Sequence, residues 1–215
     1  MKIALIGATG FVGSNILNEL ANRNHEVTAI ARNPKESELA NVNFVKADIF
    51  NTEELSEILK NHDVVLSAYN PGWTNPNIYD DFIAGSNAIV EGVKKSGVNR
   101  YITIGGAGSL FVAPNLQAVD TPDFPKEIYP GASAARDFLN TLKEEKELDW
   151  AFFSPAFEMH QGITTGRTGK YRLGLENPVF DENQRSILSG EDLAVVIADE
   201  VENPKHHLIR FTAAY

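Results

Sequence analysis

Short apolar runs alternate along the chain with longer stretches whose apolar residues recur at helical spacing. This alternation predicts strands joined by crossover helices. Lys2–Ile6, Glu26–Ala31, Asn43–Lys46, Val64–Ala68, Arg100–Ile104 and Trp150–Ser154 read as strands. Val64-Val65-Leu66 and Trp150-Ala151-Phe152-Phe153 are continuously apolar, as expected of strands covered on both faces. Helices are predicted over Gly10–Ala21, near Lys35–Leu39, over Thr52–Lys60 and Asn77–Ser96, and over about Ala132–Glu147. Within 77–96, Ile78, Phe82, Ile89 and Val93 share one face, and Gly97 follows where a left-handed cap ends a helix. Ser189 and Asp192 form a Ser-x-x-Asp start for a last helix, which leads to a terminal strand near Leu208–Thr212. The expected fold is α/β: one doubly wound, mostly parallel sheet with helices on both faces, built from residues 1–215 as a single domain.

Segments 105–131 and 155–189 break the pattern, being rich in Gly, Pro, Thr and Asn with little periodicity. Both follow predicted strand ends, where open α/β sheets place their ligand crevice, so they are expected to wall a pocket, with 155–189 as a small substrate-side region. The absence of cysteine from all 215 residues excludes a disulfide framework, a thiolate nucleophile and Cys-ligated metal, and fits a reducing cytoplasm. The net charge of −10 would repel a nucleic-acid backbone, and no Lys/Arg run offsets it. No apolar run approaches the ~20 residues of a membrane span. The start, Met1 to Ile6, is cut short by Gly7, Gly10 and Gly13 and reads as a buried strand, not a leader.

The most informative residues are Gly7-Ala8-Thr9-Gly10-Phe11-Val12-Gly13, a G-x-x-G-x-x-G run directly after the first strand and opening a helix. Glycines there permit a tight turn and close backbone approach to a pyrophosphate, while the helix start supplies unpaired N–H donors. This context makes the sheet Rossmann-type and the turn a dinucleotide site. No Gly-Lys-Ser/Thr follows, which excludes a P-loop. The second strand ends at Arg32, about 20 residues beyond the turn, where an acid would favour NAD. A guanidinium there suits a 2′-phosphate, so NADP(H) is the expected cofactor and NAD(H) the alternative. Asp48, followed by Ile49 at the end of the third strand, is either a hydrogen-bond acceptor for the adenine amino group or a loop acid on the approach to the next helix.

With these residues in hand, the chain resembles the atypical short-chain dehydrogenase/reductases. More narrowly it resembles small bacterial NAD(P)H-flavin reductase-like proteins, related to biliverdin IXβ reductase and to NmrA-like proteins. The likeness also runs through Ile104-Gly105-Gly106-Ala107-Gly108-Ser109-Leu110, Leu148-Asp149-Trp150, Ser154-Pro155-Ala156, Gly166-Arg167-Thr168-Gly169-Lys170-Tyr171-Arg172 and Arg210-Phe211-Thr212. It implies a seven-stranded sheet with the nicotinamide near the ends of the fourth to sixth strands. Ser67, Ala68, Tyr69, Ile104, Gly105 and Gly106 would then line the ribose and nicotinamide, and Pro155, Ala156 and Phe157 the carboxamide side.

One departure from the family pattern redirects the chemistry. Carbonyl-reducing members use a Tyr-x-x-x-Lys pair, and here every tyrosine lacks the lysine; Tyr129, for example, is followed by Ser133. A tyrosine of pKa ~10 without a nearby cation relays protons poorly, which argues against ketone, epimerase and dehydratase chemistry. Flavin reduction escapes this need, because stacking of two rings at ~3–3.5 Å carries most of the catalysis. FMN or FAD is thus the expected type of substrate, or another planar acceptor such as a quinone or tetrapyrrole. Trp73, Tyr69, Phe111, Tyr129 and Phe157 are candidate stacking residues, Ser109 and Tyr129 candidate catalytic groups, and Arg167 either a holder of a substrate phosphate or carboxylate or a hairpin arginine paired with one of the chain's many acids. The rival reading is a nucleotide-binding redox sensor of NmrA-like type. His206 and His207 are adjacent while His25, His62 and His160 are scattered, so no metal set is expected. The expected partner is a small-molecule acceptor, with neither nucleic acid nor membrane, bound to a monomer or homodimer.

Overall fold

In the computed structural model, which describes residues 1–35 and 37–215, the chain forms ten strands and five α-helices among those residues. The strands are β1 (Lys2–Ile6), β2 (Glu26–Ala31), β3 (Val42–Lys46), β4 (Val64–Ser67), β5 (Arg100–Ile104), β6 (Phe111–Ala113), β7 (Leu116–Gln117), β8 (Asp149–Ser154), β9 (Arg172–Gly174) and β10 (Ile209–Ala214). The helices are α1 (Phe11–Asn22), α2 (Thr52–Leu59), α3 (Ile78–Ser96), α4 (Tyr129–Leu142) and α5 (Gly190–Glu202). The main sheet runs β3-β2-β1-β4-β5-β8-β10-β9. Its pairs are parallel except the last, where β9 runs antiparallel to β10.

Side-chain alternation along β1 shows why helices cover both faces. Ile3 and Leu5 join Ile16, Leu20, Leu193 and Ile197 of α1 and α5, whereas Ala4 and Ile6 join Leu55, Phe82, Ile89 and Phe138 of α2, α3 and α4. The stripe Ile78, Phe82, Ile89 and Val93 is buried as its spacing predicts, and Gly97 caps α3 with φ +79°. Ser189 caps α5 by accepting from the Asp192 N–H at 3.0 Å.

Several boundaries differ from expectation. The sheet has an eighth strand, β9, where the resemblance implied seven. It is a three-residue edge segment too short to carry a periodic signal, and glycine lets it lie close to β10: a Cβ on Gly174 would stand 3.1 Å from Thr212. Helix α4 begins at Tyr129 and not Ala132, because Pro130 fits the first turn of a helix, and it ends at Leu142 instead of continuing to Glu147. The short helix expected near Lys35–Leu39 includes residue 36, which lies outside the described residues. Residues 35 and 37–39 carry no helical turn. No helix among the described residues is long and apolar enough to cross a membrane.

The segment after β5 folds into a 3₁₀ turn at Ala107–Ser109 and the β6–β7 hairpin. Arg210, the second residue of β10 and 1% exposed, anchors it. Its guanidinium donates to the carbonyl of Ser109 and to the carbonyl and carboxylate of Glu176, and the Phe111 ring lies 5.4 Å away. One buried cation thereby joins both irregular segments to the sheet.

A second buried charge cluster lies at the amino-terminal ends of β5 and β10. Arg100 donates to Glu200 at 2.7 Å, and the other Glu200 oxygen meets His206 Nδ1 at 2.7 Å, with His206 stacked on Phe211. Burial opposes ionisation of Glu200, but the His206 imidazole and the N–H groups of His206 and Lys205 outweigh it and hold the carboxyl below its ordinary range. A carboxyl with a depressed folded-state pKa contributes stability above its unfolded value and loses it as pH falls through the folded one. The melting temperature is therefore expected to hold from neutral pH to about 5 and drop below about 4. Glu200→Gln should flatten that acid limb, and an unchanged limb would show that Glu200 does not set it.

Candidate functional site

The glycine turn leaves β1 at the carboxyl edge of the sheet, between β2 and β4 where the strand order reverses. Its three glycines answer to different constraints. Gly7 has φ +79°, and a Cβ there would lie 2.6 Å from the Ala68 carbonyl oxygen. A Cβ on Gly13 would lie 2.1 Å from the Gly7 carbonyl oxygen, so this glycine lets α1 pack on the turn. Gly10 is different: φ is −75°, and the nearest atom to an added Cβ is 3.5 Å away, an ordinary contact. Nothing in the protein requires glycine there. The space it leaves open lies outside the turn, against the exposed start of α1.

That helix start is unsatisfied. Gly10 offers no side-chain cap, so the N–H groups of Phe11, Val12 and Gly13 lack intrahelical acceptors. Helices α2, α3 and α5 each carry two acids in the first turn, whereas α1, like α4, carries none. Its partial positive charge is left for an incoming anion. Thr9 is half-exposed beside it.

Three neighbouring strand ends converge next to this turn. Arg32 follows β2 and Asp48 follows β3, both exposed, while Tyr69 follows β4 half-buried. The Tyr69 phenol is pushed up by burial and by Asp81, and the charges of Arg32 and Asp48 also act on it. Its hydroxyl donates to the Asp81 carbonyl at 2.9 Å, and its ring rests on Gly85, where a Cβ would come within 2.5 Å. Asp48 accepts from the Phe50 N–H at 3.0 Å, closing a turn that buries Ile49. Ser67 is buried beneath Ala68 and Tyr69. On β5, Ile104 is buried, and Gly105 is required because a Cβ would lie 1.8 Å from the Phe152 ring, with Gly106 following it. Beyond β8, Pro155 and Ala156 are buried and Phe157 emerges, its ring 6.1 Å from Phe180. Trp73 lies over Gly131 of α4, two residues along the chain from Tyr129, whose ring meets Phe124 edge-on at 6.4 Å.

Three expectations for the acceptor side need correction. Ser109 is fully buried; its hydroxyl donates to the Gly106 carbonyl at 2.9 Å and meets Ser154 at 3.0 Å, so it braces the turn and reaches no substrate. Phe111 sits over Arg210, and its N–H donates to the Glu176 carbonyl at 2.9 Å, which commits the ring to the scaffold. Arg167 makes a two-pronged pair with Glu19 of α1 at 2.7 and 2.8 Å, which is the acid-paired reading of this arginine and not the phosphate-holding one. The whole 166–172 motif is a staple of this kind. Thr168 and Gly169 donate to Asp192, and Tyr171 donates to Asp199 at 2.5 Å.

Sequence reasoning missed Gly85, Gly131 and Phe180. The signal for Gly85 was its position inside the helical stretch 77–96, where glycine costs about 0.5–1 kcal/mol and needs a reason, whereas Gly131 fell in a segment read as irregular and carried no such signal. Here the reason is an aromatic ring seated on each.

Residues 7–204 match the family described as NAD(P)H-binding. The chain belongs to that family. The NAD(P)H-binding match begins on the first glycine of the turn. A Bacillus subtilis relative, the uncharacterized protein YwnB, is 36% identical over 214 residues, covering 99% of this chain and 97% of its own. Among solved structures, a Bacteroides thetaiotaomicron protein provisionally named an epimerase is 48% identical with a TM-score of 0.91, covering 100% of this chain and 96% of its own. A Streptococcus pneumoniae protein provisionally named an NADH-flavin reductase is 32% identical with a TM-score of 0.86, covering 100% and 99%.

Proposed function

We propose that this NAD(P)H-binding protein is an oxidoreductase that prefers NADPH and reduces a flavin or another planar acceptor. The observation that carries the reading is the open space at Gly10 against an uncapped, acid-free helix start, a fit for a pyrophosphate. Gly7, Thr9, Gly10, Phe11, Val12 and Gly13 would hold the diphosphate. Arg32 would hold the 2′-phosphate, and Asp48 with Ile49 would border the adenine. Ser67, Ala68, Tyr69, Ile104, Gly105 and Gly106 would line the ribose and nicotinamide, and Pro155, Ala156 and Phe157 the carboxamide. A bound nicotinamide supplies a hydride equivalent for the acceptor. The protein's part is to stack the acceptor and exclude water, for which Trp73, Tyr129 and Phe157 are the available rings.

The epimerase name of the Bacteroides relative is not adopted for this chain. No Tyr-x-x-x-Lys is present, the Tyr69 hydroxyl is committed to a backbone carbonyl, and the Ser133 hydroxyl bonds back to Tyr129 and Pro130. The missing Tyr-x-x-x-Lys pair is equally compatible, as a second reading, with a sensor that binds the dinucleotide without turnover.

The test is NADPH oxidation followed at 340 nm with flavins and a simple quinone as acceptors, with NADH in parallel. Saturable, acceptor-dependent oxidation supports the reductase; binding without turnover supports the sensor. Arg32→Ala should weaken NADPH by about 1.5–3 kcal/mol, roughly 10–150-fold, and leave NADH nearly unchanged. Equal losses for both cofactors would remove Arg32 from the 2′-phosphate.

A further inference from the structure

We infer that the acceptor side of this site takes an uncharged planar ring system, favouring riboflavin-type or quinone acceptors over those that carry a phosphate. The inference rests on the reductase reading and narrows its substrate class. It starts from where the arginines go. Every arginine from residue 105 onward is already held by the protein. Arg136 donates to Asp120 and Asp137, Arg167 to Glu19, and Arg185 to Glu158. Arg172 donates to the carbonyls of Phe180 and Tyr215, and Arg210 to Ser109 and Glu176. Guanidinium groups are the usual two-pronged holders of phosphate, and displacing any of these would strand its carboxylate or carbonyl partner.

Among the described residues, Lys126 and Lys170 are the basic side chains of segments 105–131 and 155–189 that make no side-chain hydrogen bond or ion pair. Lys126 stands in sequence between Asp123 and Glu127, which cancel its field. Lys170 follows Gly169, whose N–H is held by Asp192 in the first turn of α5, within a segment tied across the α1–α5 face by Arg167 on Glu19 and Tyr171 on Asp199.

The large exposed apolar side chains beyond β4 and β8 and at the start of α4 are mostly aromatic. Trp73 is 60% exposed and Tyr129 45% on one side, with Phe157 and Phe180 both 39% exposed on the other. These two walls follow β4, the start of α4 and β8, and β4 and β8 flank β5. Strands spaced ~4.8 Å apart put the ends of β4 and β8 roughly 10 Å from each other, room for a flat ring between aromatic walls. A phosphate dianion brought here would enter the field of a chain with net charge −10 and find the arginines of both segments already paired.

The test is equilibrium binding of riboflavin and of FMN, read by flavin fluorescence on protein saturated with NADP⁺, at low and at physiological salt. Riboflavin is expected to bind roughly 3–10-fold more tightly at low salt, with the gap closing as salt screens the repulsion. FMN binding as tightly as riboflavin or more tightly at low salt would overturn the inference, and so would failure of both flavins to bind. Turnover separates this from the broader reading. Riboflavin preference without NADPH oxidation defeats the reductase and leaves the charge selection, whereas NADPH oxidation with FMN preferred does the reverse.

Discussion

Gly10→Val is expected to lower NADPH and NADH affinity together by roughly 100-fold or more, about 2.8 kcal/mol, with little change in melting temperature. The expectation follows from the asymmetry of the three turn glycines. A side chain at Gly10 meets ordinary packing distance inside the protein and needs no unusual backbone angle, so the fold tolerates it. The valine methyls would instead fill the space against the N–H groups of α1, where the diphosphate is proposed to sit. The control is Gly13→Val, whose Cβ would come within 2.1 Å of the Gly7 carbonyl oxygen and should cost folding itself. Isothermal titration with each dinucleotide, paired with thermal melts, distinguishes the two. Retained affinity in Gly10→Val would mean that the glycine turn serves the scaffold alone.

Asp192→Ala is expected to destabilise the protein by about 3–5 kcal/mol, because the carboxylate is completely buried and four donors converge on it. These are the N–H groups of Thr168 and Gly169, the Thr168 hydroxyl at 2.6 Å and the Tyr215 hydroxyl at 2.7 Å. The first turn of α5 adds its own favourable field to the charge. Alanine would leave those donors without acceptors, and Asp192→Asn would be a poor rescue because the amide adds donors where acceptors are needed. Urea denaturation should show the loss, and limited proteolysis should show cleavage concentrated between residues 155 and 189. A change below about 1 kcal/mol would mean that the segment is held elsewhere, by Arg167 on Glu19 and Tyr171 on Asp199.

These two sites also mark what could be read from the sequence. The strands, the crossover helices and the glycine turn are local signals, each written within a few residues: Gly7 to Gly13 after an apolar run, Gly97 after a helical stripe, Ser189 before Asp192. They came out nearly in place, with shifts of a few residues at ends such as Tyr129 and Leu142. The acceptor side was harder because its decisive contacts are remote. Arg167 meets a glutamate 148 positions away, and Arg210 meets a carbonyl 101 positions away. A sequence shows that an arginine is present in a loop, but the carboxylate that occupies it is decided by packing. Ser109 likewise looks available because it sits among glycines, yet the 3₁₀ turn rolls its hydroxyl inward against Ser154. Phe111 and Arg167 read as ligand-facing groups for the same reason.

The position of β10 has a consequence for biosynthesis. It is the last strand in chain order, yet it lies inside the sheet between β8 and β9. Until the ribosome has released it, β8 presents an open parallel edge, β9 has no strand to join, and the Ser109 and Glu176 groups that Arg210 will bind have no cation. Pairing β8 with β10 spans more than fifty residues of intervening chain, so the final closure is a late, long-range event, with an exposed strand edge until it happens. A nascent chain of this protein should therefore depend on protection of that edge during synthesis, whereas the glycine turn and its flanking strands can form as soon as β4 emerges.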